Sequence, residues 1–308
     1  MASRQQQSLI ASAIISIGMI ALIWIRLASD LNSPTLFIIK VSYLQLVIAF
    51  IIFTILITLW FRTKLVVAIG FISTIILSII IMPPLEDRVV PESTNSFSIA
   101  TFSTLTRTNN NNDIVAFIEK HKPDLICLQE VSKTNVKELE NKLSTHYQHH
   151  GRGGSNLSVF SRFPIEVKTD SGAYISTIVD IPRIGKTEVI NSHMPRQYRS
   201  KKITDQWQGL VQTLGTRLTD QTIVCGDLNL TPYNTMYEII TNQLGYQDAL
   251  SKGYGHTFPN AARKLAFLGP QIRIDYLLSY NLVSFNTRTL NASNSSDHRA
   301  VITEYIQK

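Results

Sequence analysis

The chain has 308 residues, of which 29 are Lys or Arg and 22 are Asp or Glu, giving a net charge of +7. Residues 1–84 hold five basic residues and one acidic residue, so the rest of the chain carries a net charge of only +3. The basic character therefore comes largely from the apolar end and does not indicate a strongly basic nucleic-acid-binding surface.

Three long apolar segments occupy the first part of the chain. They run over residues 9–25, 41–61 and 65–82, and each is about the length that crosses a hydrocarbon core as a helix. A cleaved signal peptide is the alternative for the first segment, but Arg26 follows it directly and two further apolar segments come after it. We predict a membrane region over residues 1–84 with three transmembrane helices.

The second and third segments are joined only by Arg62, Thr63 and Lys64, which predicts a tight hairpin. Two basic residues in so short a loop favour the cytoplasmic side. An odd number of spans places the two termini on opposite faces of the membrane. We therefore expect a multi-pass protein of the cell membrane, with everything after the third helix extracytoplasmic.

Pro83 and Pro84 end the third helix, and the polar residues 85–96 form a predicted linker. From Phe97 to the C-terminus, short apolar runs of strand length alternate with helical stretches. The predicted strands are residues 97–102, 125–128, 157–160, 188–191, 222–225, 274–278 and 300–305, and the predicted helices are 113–121 and 207–218. Many short strands with few helices predict packed sheets with helices outside, in a single domain over residues 97–308.

The two cysteines, Cys127 and Cys225, each lie inside an apolar run, and no CxxC or Cys/His cluster is present. This arrangement argues against a zinc site. We expect two buried, reduced thiols. A disulfide between the two cysteines is left open by the sequence.

Polar residues recur at the ends of the predicted strands, where they can converge on one cleft. They are Glu130, His193, Asp227 with Asn229, Asp275, and Asp297 with His298. Each has an ordinary explanation as a cap, a turn or a surface ion pair, but the ordered set is hard to explain as independent accidents.

Phosphate esters are hydrolysed mainly with electrostatic help, which a hard divalent cation and positioned donors supply. In this chemistry Glu130 is the best metal ligand, and Asp297 shares the cation. Asp227 orients or deprotonates the attacking water, while the amide of Asn229 holds that water or a phosphate oxygen. His193 donates to the phosphate. His298 acts as base or donor, with its tautomer fixed by Asp275.

These residues, in this order, resemble the endonuclease/exonuclease/phosphatase superfamily, which includes DNase I-like nucleases and neutral sphingomyelinases. The matching segments are residues 123–130 (PDLICLQE), 161–164 (SRFP), 191–193 (NSH), 226–229 (GDLN), 273–276 (RIDY) and 296–298 (SDH). The resemblance implies a four-layered α/β sandwich, two packed β-sheets flanked by helices, and phosphoester hydrolysis with Mg²⁺ or Mn²⁺. It also implies the same roles for the residues named above.

One position departs from the family pattern. The first strand ends in Thr101-Phe102-Ser103, where an asparagine is usual. A serine hydroxyl can contact metal-bound water or phosphate, but its reach is shorter. This departure keeps open a catalytically impaired, membrane-anchored binding protein as an alternative to an enzyme.

The expected substrate is a phosphodiester or phosphomonoester. The membrane region, whose partner is the lipid bilayer, points to a phospholipid head group or a lipid-linked phosphate. The near-neutral charge of the C-terminal region disfavours tight binding of duplex DNA. A nuclease acting on external nucleic acid is the second enzymatic alternative.

Overall fold

A computed structural model describes residues 3–85, 95–105, 111–154, 156–196, 201–216, 221–250, 252–260, 271–293 and 295–308. The chain divides into two compact units. The first unit contains Met1–Pro83 together with Tyr233–Thr235, and the second contains Pro84–Pro232 and Met236–Lys308. Most of the predicted linker, residues 86–94, lies outside the described residues.

The described residues of the first unit form the helices α1 (Arg4–Leu27), α2 (Pro34–Val41), α3 (Tyr43–Phe61) and α4 (Lys64–Ile80). Helix α1 begins with a capping box, in which the Ser3 hydroxyl accepts from the Gln6 amide and the Gln6 side chain accepts from the Ser3 amide. Helix α2 begins at a proline, and the Ser33 hydroxyl accepts from the Leu36 amide.

In the first unit, small and hydroxylated side chains are buried beside a few large apolar ones such as Leu22 and Leu77, and many other large apolar side chains are exposed. The buried positions include Ser8, Ala11 and Ser12 of α1, and the Phe50 ring of α3 packs directly over the backbone of Gly18. Among the described residues, most of the large apolar side chains that are exposed lie on helices α1, α3 and α4. Trp60, for example, is 81% exposed. This pattern is typical of helices packed within lipid and opposite to that of a soluble protein.

Among the described residues, two helices are long and apolar enough to cross a membrane, α1 with 24 residues and α3 with 19. Only 28% and 17% of their most apolar segments are buried. The third predicted span corresponds to α4, which is apolar but has only 17 residues. Length and composition therefore support two spanning helices, and not the predicted three.

The second unit is built on two six-stranded mixed sheets. The first sheet has the order β11-β12-β1-β2-β4-β3 and the second has the order β5-β6-β7-β8-β10-β9. The strands are β1 (Phe97–Ser103), β2 (Leu125–Gln129), β3 (His149–Gly153), β4 (Leu157–Ser161), β5 (Ile165–Asp170), β6 (Tyr174–Ile181), β7 (Gly185–His193), β8 (Thr222–Asp227), β9 (Gln247–Asp248), β10 (Asp275–Tyr280), β11 (Leu282–Leu290) and β12 (Ala300–Gln307). The pairs β1–β2 and β7–β8 are parallel, and their other neighbours are antiparallel.

In the part of this unit that the structure describes, the sheets are accompanied by four helices: α5 (Asn111–His121), α6 (Lys133–Leu143), α7 (Lys201–Gly215) and the short α8 (Thr235–Glu238), which continues as a π-helical turn over Ile239–Gln243. Phe117 of α5 and Leu139 of α6 pack with Phe102 and Phe160 on the outer face of the first sheet. On the second sheet, the Tyr174 hydroxyl hydrogen-bonds Thr213 of α7 at 2.9 Å. The result is two packed sheets with helices outside, as expected from the strand pattern.

The main core lies between the sheets, where alternate side chains of both sheets interdigitate. Within it Cys127 of β2 and Cys225 of β8 form a disulfide, with Cα atoms 6.4 Å apart and both residues fully buried. The expectation of two reduced thiols is therefore wrong. The sequence could not reveal the pairing, because strands 98 residues apart become neighbours only when the two sheets pack.

The disulfide predicts a large contribution to the stability of the second unit. Replacing both cysteines with alanine should lower the free energy of unfolding by about 3–5 kcal/mol, because the bond closes a loop of 98 residues in the unfolded chain. Urea unfolding of the detergent-solubilised chain, followed by Trp207 fluorescence in a W24F/W60F background, measures the change. The same background with both cysteines intact is the control, and a loss below about 1 kcal/mol would contradict this account.

Candidate active site

The register of the second sheet brings three of the predicted residues together. Parallel pairing places His193 of β7 opposite Asp227 of β8, and antiparallel pairing places Asp275 of β10 opposite Asp227 on the other side. The three positions are therefore adjacent across the sheet at one edge. Glu130 comes directly after β2 of the facing sheet.

A cleft of about 520 Å³ opens at this edge. Its lining includes six of the eight predicted site residues; Asp275 lies behind it. The residues that line it are Leu105, Glu130, Gly172, Ala173, His193, Met194, Pro195, Arg196, Gln206, Asp227, Asn229, Asp297 and His298. Ser103, predicted as a metal or phosphate contact, is not among them.

Ser103 ends β1 inside the first sheet, where it is fully buried. Its carbonyl accepts a hydrogen bond from the Ser296 hydroxyl at 2.7 Å, and its own hydroxyl has no hydrogen-bond partner among the described residues. The serine therefore lies below the cleft and supports the segment that leads to Asp297 and His298. Its short side chain explains why it does not reach the surface of the cleft.

Glu130, His193 and Asp227 form the open part of the site. His193 Nε2 lies 3.6 Å from Glu130 Oε1 and 3.8 Å from Asp227 Oδ2. One donor atom from each residue lies within 4.8 Å of the others, which is a spacing that a single cation can bridge. Glu130 adopts a left-handed backbone conformation, with φ of 57°, which is uncommon for glutamate and often found at functional sites.

His298 and Asp275 form a buried pair at the back of the cleft. His298 Nδ1 lies 2.9 Å from Asp275 Oδ2 and 3.2 Å from Asp275 Oδ1. The other ring nitrogen, Nε2, lies 3.9 Å from Asp227 Oδ2. The carboxylate of Asp275 thus fixes the orientation of the ring, and Nε2 is left on the side of the cleft.

Burial and neighbouring charges shift the pKa values of this group. Burial raises the pKa of Asp227 to about 6, against the lowering effect of His298. Burial alone lowers the pKa of His298, but the carboxylates of Asp275 and Asp227 outweigh it and raise the pKa to about 10. At neutral pH these shifts favour the protonated ring of His298 and make the carboxylate of Asp227 more basic than that of an exposed aspartate.

Asn229 supports Asp227 from the same loop. Its backbone amide donates to Asp227 Oδ1 at 2.8 Å, and its side-chain nitrogen donates to Asp227 Oδ2 at 3.3 Å and to the Met194 carbonyl at 2.8 Å. Both side-chain N–H groups are therefore used within the protein. In this geometry Asn229 orients Asp227, whereas the sequence suggested an amide that holds water or phosphate.

The glycine of the GDLN segment is required by close packing. Gly226 has a φ of 132°, and a Cβ at this position would lie 1.9 Å from the Ser192 carbonyl oxygen. The close approach allows β8 to lie against the end of β7 just before Asp227. Any larger residue would push Asp227 away from His193.

Arg196 is a cleft residue that the sequence reasoning did not include. Its Nε donates to Asn229 Oδ1 at 3.2 Å, which brings a cation to the carboxylate-rich cleft. The available signal was a basic residue three positions after His193 in the segment Asn191-Ser-His-Met-Pro-Arg196. An arginine so placed can contact a phosphate oxygen.

Asn191 connects the two sheets beneath the cleft. Its side-chain nitrogen donates to the carbonyls of Leu128 at 3.0 Å and Ser158 at 2.9 Å, and its oxygen accepts from Gln129 Nε2 at 2.7 Å. These bonds cross from the second sheet to the first and are fully buried. They hold β7, which carries His193, against β2, which leads to Glu130.

Comparisons with known proteins identify a family. The sequence matches the model of the Endonuclease/Exonuclease/phosphatase family over residues 95–298. Comparison with curated protein sequences gave no match.

Several solved structures are similar to about two thirds of this chain. An AP endonuclease from Archaeoglobus fulgidus is 20% identical, with a TM-score of 0.56, over 67% of this chain and 98% of that protein. An endonuclease/exonuclease/phosphatase from Bacteroides vulgatus is 18% identical, with a TM-score of 0.55, over 69% and 99%. Beta toxin from Staphylococcus aureus is 11% identical, with a TM-score of 0.51, over 69% and 100%.

At these identities the similar structures establish a shared fold and nothing finer. The family match covers well over half of the chain and includes every predicted site residue. The chain belongs to the endonuclease/exonuclease/phosphatase family.

Proposed function

We propose that the protein is a membrane-anchored, divalent-metal-dependent phosphoesterase that hydrolyses a phosphodiester or phosphomonoester. The observation that carries this proposal is the convergence of Glu130, His193, Asp227 and His298 on one cleft. Acids, imidazoles and one guanidinium within reach of a single phosphate group suit phosphoryl chemistry.

The donors in the cleft fit a hard cation. Glu130 and Asp297 present carboxylates to the cleft, both at partly exposed positions, and oxygen ligands are those that Mg²⁺ and Mn²⁺ prefer. These two residues would hold the cation, with Asp227 close to Glu130. The cation would supply positive charge to the phosphate oxygens.

The remaining residues divide the proton chemistry between them. Asp227, held by Asn229, accepts a proton from the attacking water. His298, oriented by Asp275, donates through Nε2 to a phosphate or leaving-group oxygen. His193 and the guanidinium of Arg196 neutralise the charge on the phosphate.

Membrane anchoring is supported by the first unit, whose helices α1, α3 and α4 leave many large apolar side chains exposed. We assign the spans to α1 and α3, the two helices that are long and apolar enough to cross a bilayer. The buried disulfide supports an extracytoplasmic second unit, because such bonds persist in oxidising compartments.

The anchor favours a substrate at the membrane surface, a phospholipid head group or a lipid-linked phosphate. The small net charge of the region after residue 84 fits this choice better than binding of duplex nucleic acid. Two assays at the same Mg²⁺ concentration distinguish the two substrates. One measures release of a water-soluble phosphate product from phospholipid vesicles, and the other measures degradation of single- and double-stranded DNA.

Removing the charge of the proposed metal ligand should abolish hydrolysis. Glu130→Gln should lower kcat/KM for a small soluble phosphodiester by at least about 100-fold, because the cation loses an anionic ligand while the side chain keeps its size. The control is Glu166→Gln, an exposed glutamate of β5 whose side chain pairs with Lys168. Hydrolysis by Glu130→Gln at the rate of the control would contradict the metal role, as would wild-type hydrolysis that resists EDTA.

The buried Asp275–His298 pair predicts a change in kcat more than in KM. Asp275→Asn should lower kcat by about 10²- to 10⁴-fold, because the amide no longer fixes the ring or stabilises its protonated form. Steady-state kinetics measure the effect, with the exposed Asp180→Asn as the matched control. An unchanged kcat, or an effect confined to KM, would remove Asp275 from the proposed mechanism.

The proposed topology predicts the location of the C-terminus. A C-terminal alkaline phosphatase fusion should be active and a matching green fluorescent protein fusion should be dark, because the buried disulfide places the second unit in an oxidising compartment. Fusions made after residue 32, between the spans α1 and α3, should show the opposite pattern. The reverse result would place the second unit in the cytoplasm.

A further inference from the structure

The helical unit contains a short segment from much later in the chain. Tyr233–Thr235 belongs to this unit, although the residues on either side of it belong to the other. The segment begins four positions after Asn229, which holds Asp227 in place. The way in which this tripeptide is fixed therefore bears directly on the loop that carries two site residues.

Asp30, in the turn between α1 and α2, is the centre of the contacts that fix the tripeptide. Its two carboxylate oxygens accept from Asn234 Nδ2 at 2.6 Å and from the Thr235 amide at 2.9 Å. Its own amide donates to Thr235 Oγ1 at 3.2 Å. The carboxylate of Asp30 thus binds both the backbone and a side chain of the tripeptide.

Lys40 of α2 completes this network. Its ammonium donates to Thr235 Oγ1 at 3.2 Å and lies 3.9 Å from Asp30 Oδ1. Lys40 and Asn234 are fully buried, and Asp30 is 1% exposed. We call these four residues, Asp30, Lys40, Asn234 and Thr235, the Asp30 network.

Tyr233 adds an apolar contact to the same segment. Its ring lies 5.0 Å from that of Tyr43, with the guanidinium of Arg26 5.8 Å from its centre. The ring packs against the cluster that includes Leu22, Tyr43 and Leu77. All three residues of the tripeptide are therefore held, two by hydrogen bonds and one by ring packing.

A buried ion pair in an apolar helical unit is an expensive way to gain stability, because desolvation offsets the attraction. Such pairs are retained where they specify one geometry, and ionisable groups among membrane helices commonly mark a functional role. Here the geometry that the pair specifies is that of the tripeptide. An anchor alone would need neither charge.

We propose that the helical unit acts as a positioning element for the active site as well as an anchor. The Asp30 network fixes residues 233–235, and the Tyr276 hydroxyl holds the Leu230 carbonyl at 3.1 Å, so the stretch between Leu230 and Tyr233 is restrained on both sides. Losing the Asp30 network lets this stretch shift, and the shift reaches the carboxylate of Asp227 through the neighbouring Asn229, which donates to both of its oxygens. A displacement of about 1 Å is enough to lower a catalytic rate by about 100-fold. Asp30 and Asn234 are positioning residues in this account, which rests on the proposed function for its kinetic part.

Two readouts test the proposal, and only one depends on activity. Asn234→Ala removes one bond to Asp30 and leaves the buried Asp30–Lys40 pair intact. In hydrogen exchange followed by mass spectrometry on the full chain in nanodiscs, peptides covering residues 227–232 should exchange about tenfold faster or more in the variant. The kcat for a small soluble phosphodiester should fall at least about tenfold, with KM changed less than about twofold.

Arg62→Gln, an exchange on the exposed turn between α3 and α4, is the control and should match the wild type in both readouts. If Asn234→Ala fails to accumulate in the membrane, Thr235→Val is used in its place. This variant removes the hydroxyl to which both the Asp30 amide and the Lys40 ammonium donate. The proposal would be overturned if hydrogen exchange in the variant became faster only in residues 233–236, while the exchange of peptides covering residues 227–232 and the kcat stayed unchanged. If the wild type hydrolyses nothing, the proposed function fails and the exchange of residues 227–232 alone decides the positioning role.

Discussion

Strands β2 and β8 lie in different sheets, and every proposed role in the cleft depends on their being held face to face. The Cys127–Cys225 bond joins them through the core, and the amide of Asn191 crosses between the sheets just below the site. Glu130 follows β2 and Asp227 ends β8. The distance between these two carboxylates, and so the ability to share a cation, is set by the packing of the sheets.

Much of the site could be predicted from the sequence because its residues follow strands directly. Glu130, His193 and Asp227 each follow or end an apolar run of strand length, so the sequence places them at strand ends. The parallel and antiparallel pairing of the strands then brings these ends to the same edge of the structure. Strands β3, β5, β6, β9 and β11 and helices α2, α6 and α8 were not predicted. In β3, β5, β11 and α6 the exposed faces carry few apolar residues, so the periodic signal is weak.

The features that the sequence did not reveal all depend on contacts between distant segments. The disulfide needs two sheets to pack, and Ser103 could be placed below the cleft only once β1 was known to be an interior strand. The network around Asp30 joins residues about 200 positions apart, and in the sequence it appears as two ordinary loop charges. Local pattern carries no information about such pairings, whereas burial in the structure identifies them at once.

Binding of a single divalent cation by the cleft is the central claim of this account. Electron paramagnetic resonance of Mn²⁺ titrated into the detergent-solubilised chain tests it without assuming a substrate, because bound Mn²⁺ loses the sharp signal of the free ion. The account predicts one Mn²⁺ site per chain, for which Mg²⁺ competes. The site should be lost in a Glu130→Gln/Asp297→Asn variant and kept in Asp275→Asn. Binding that is equally strong in all three proteins, or absent from the wild type, would contradict it.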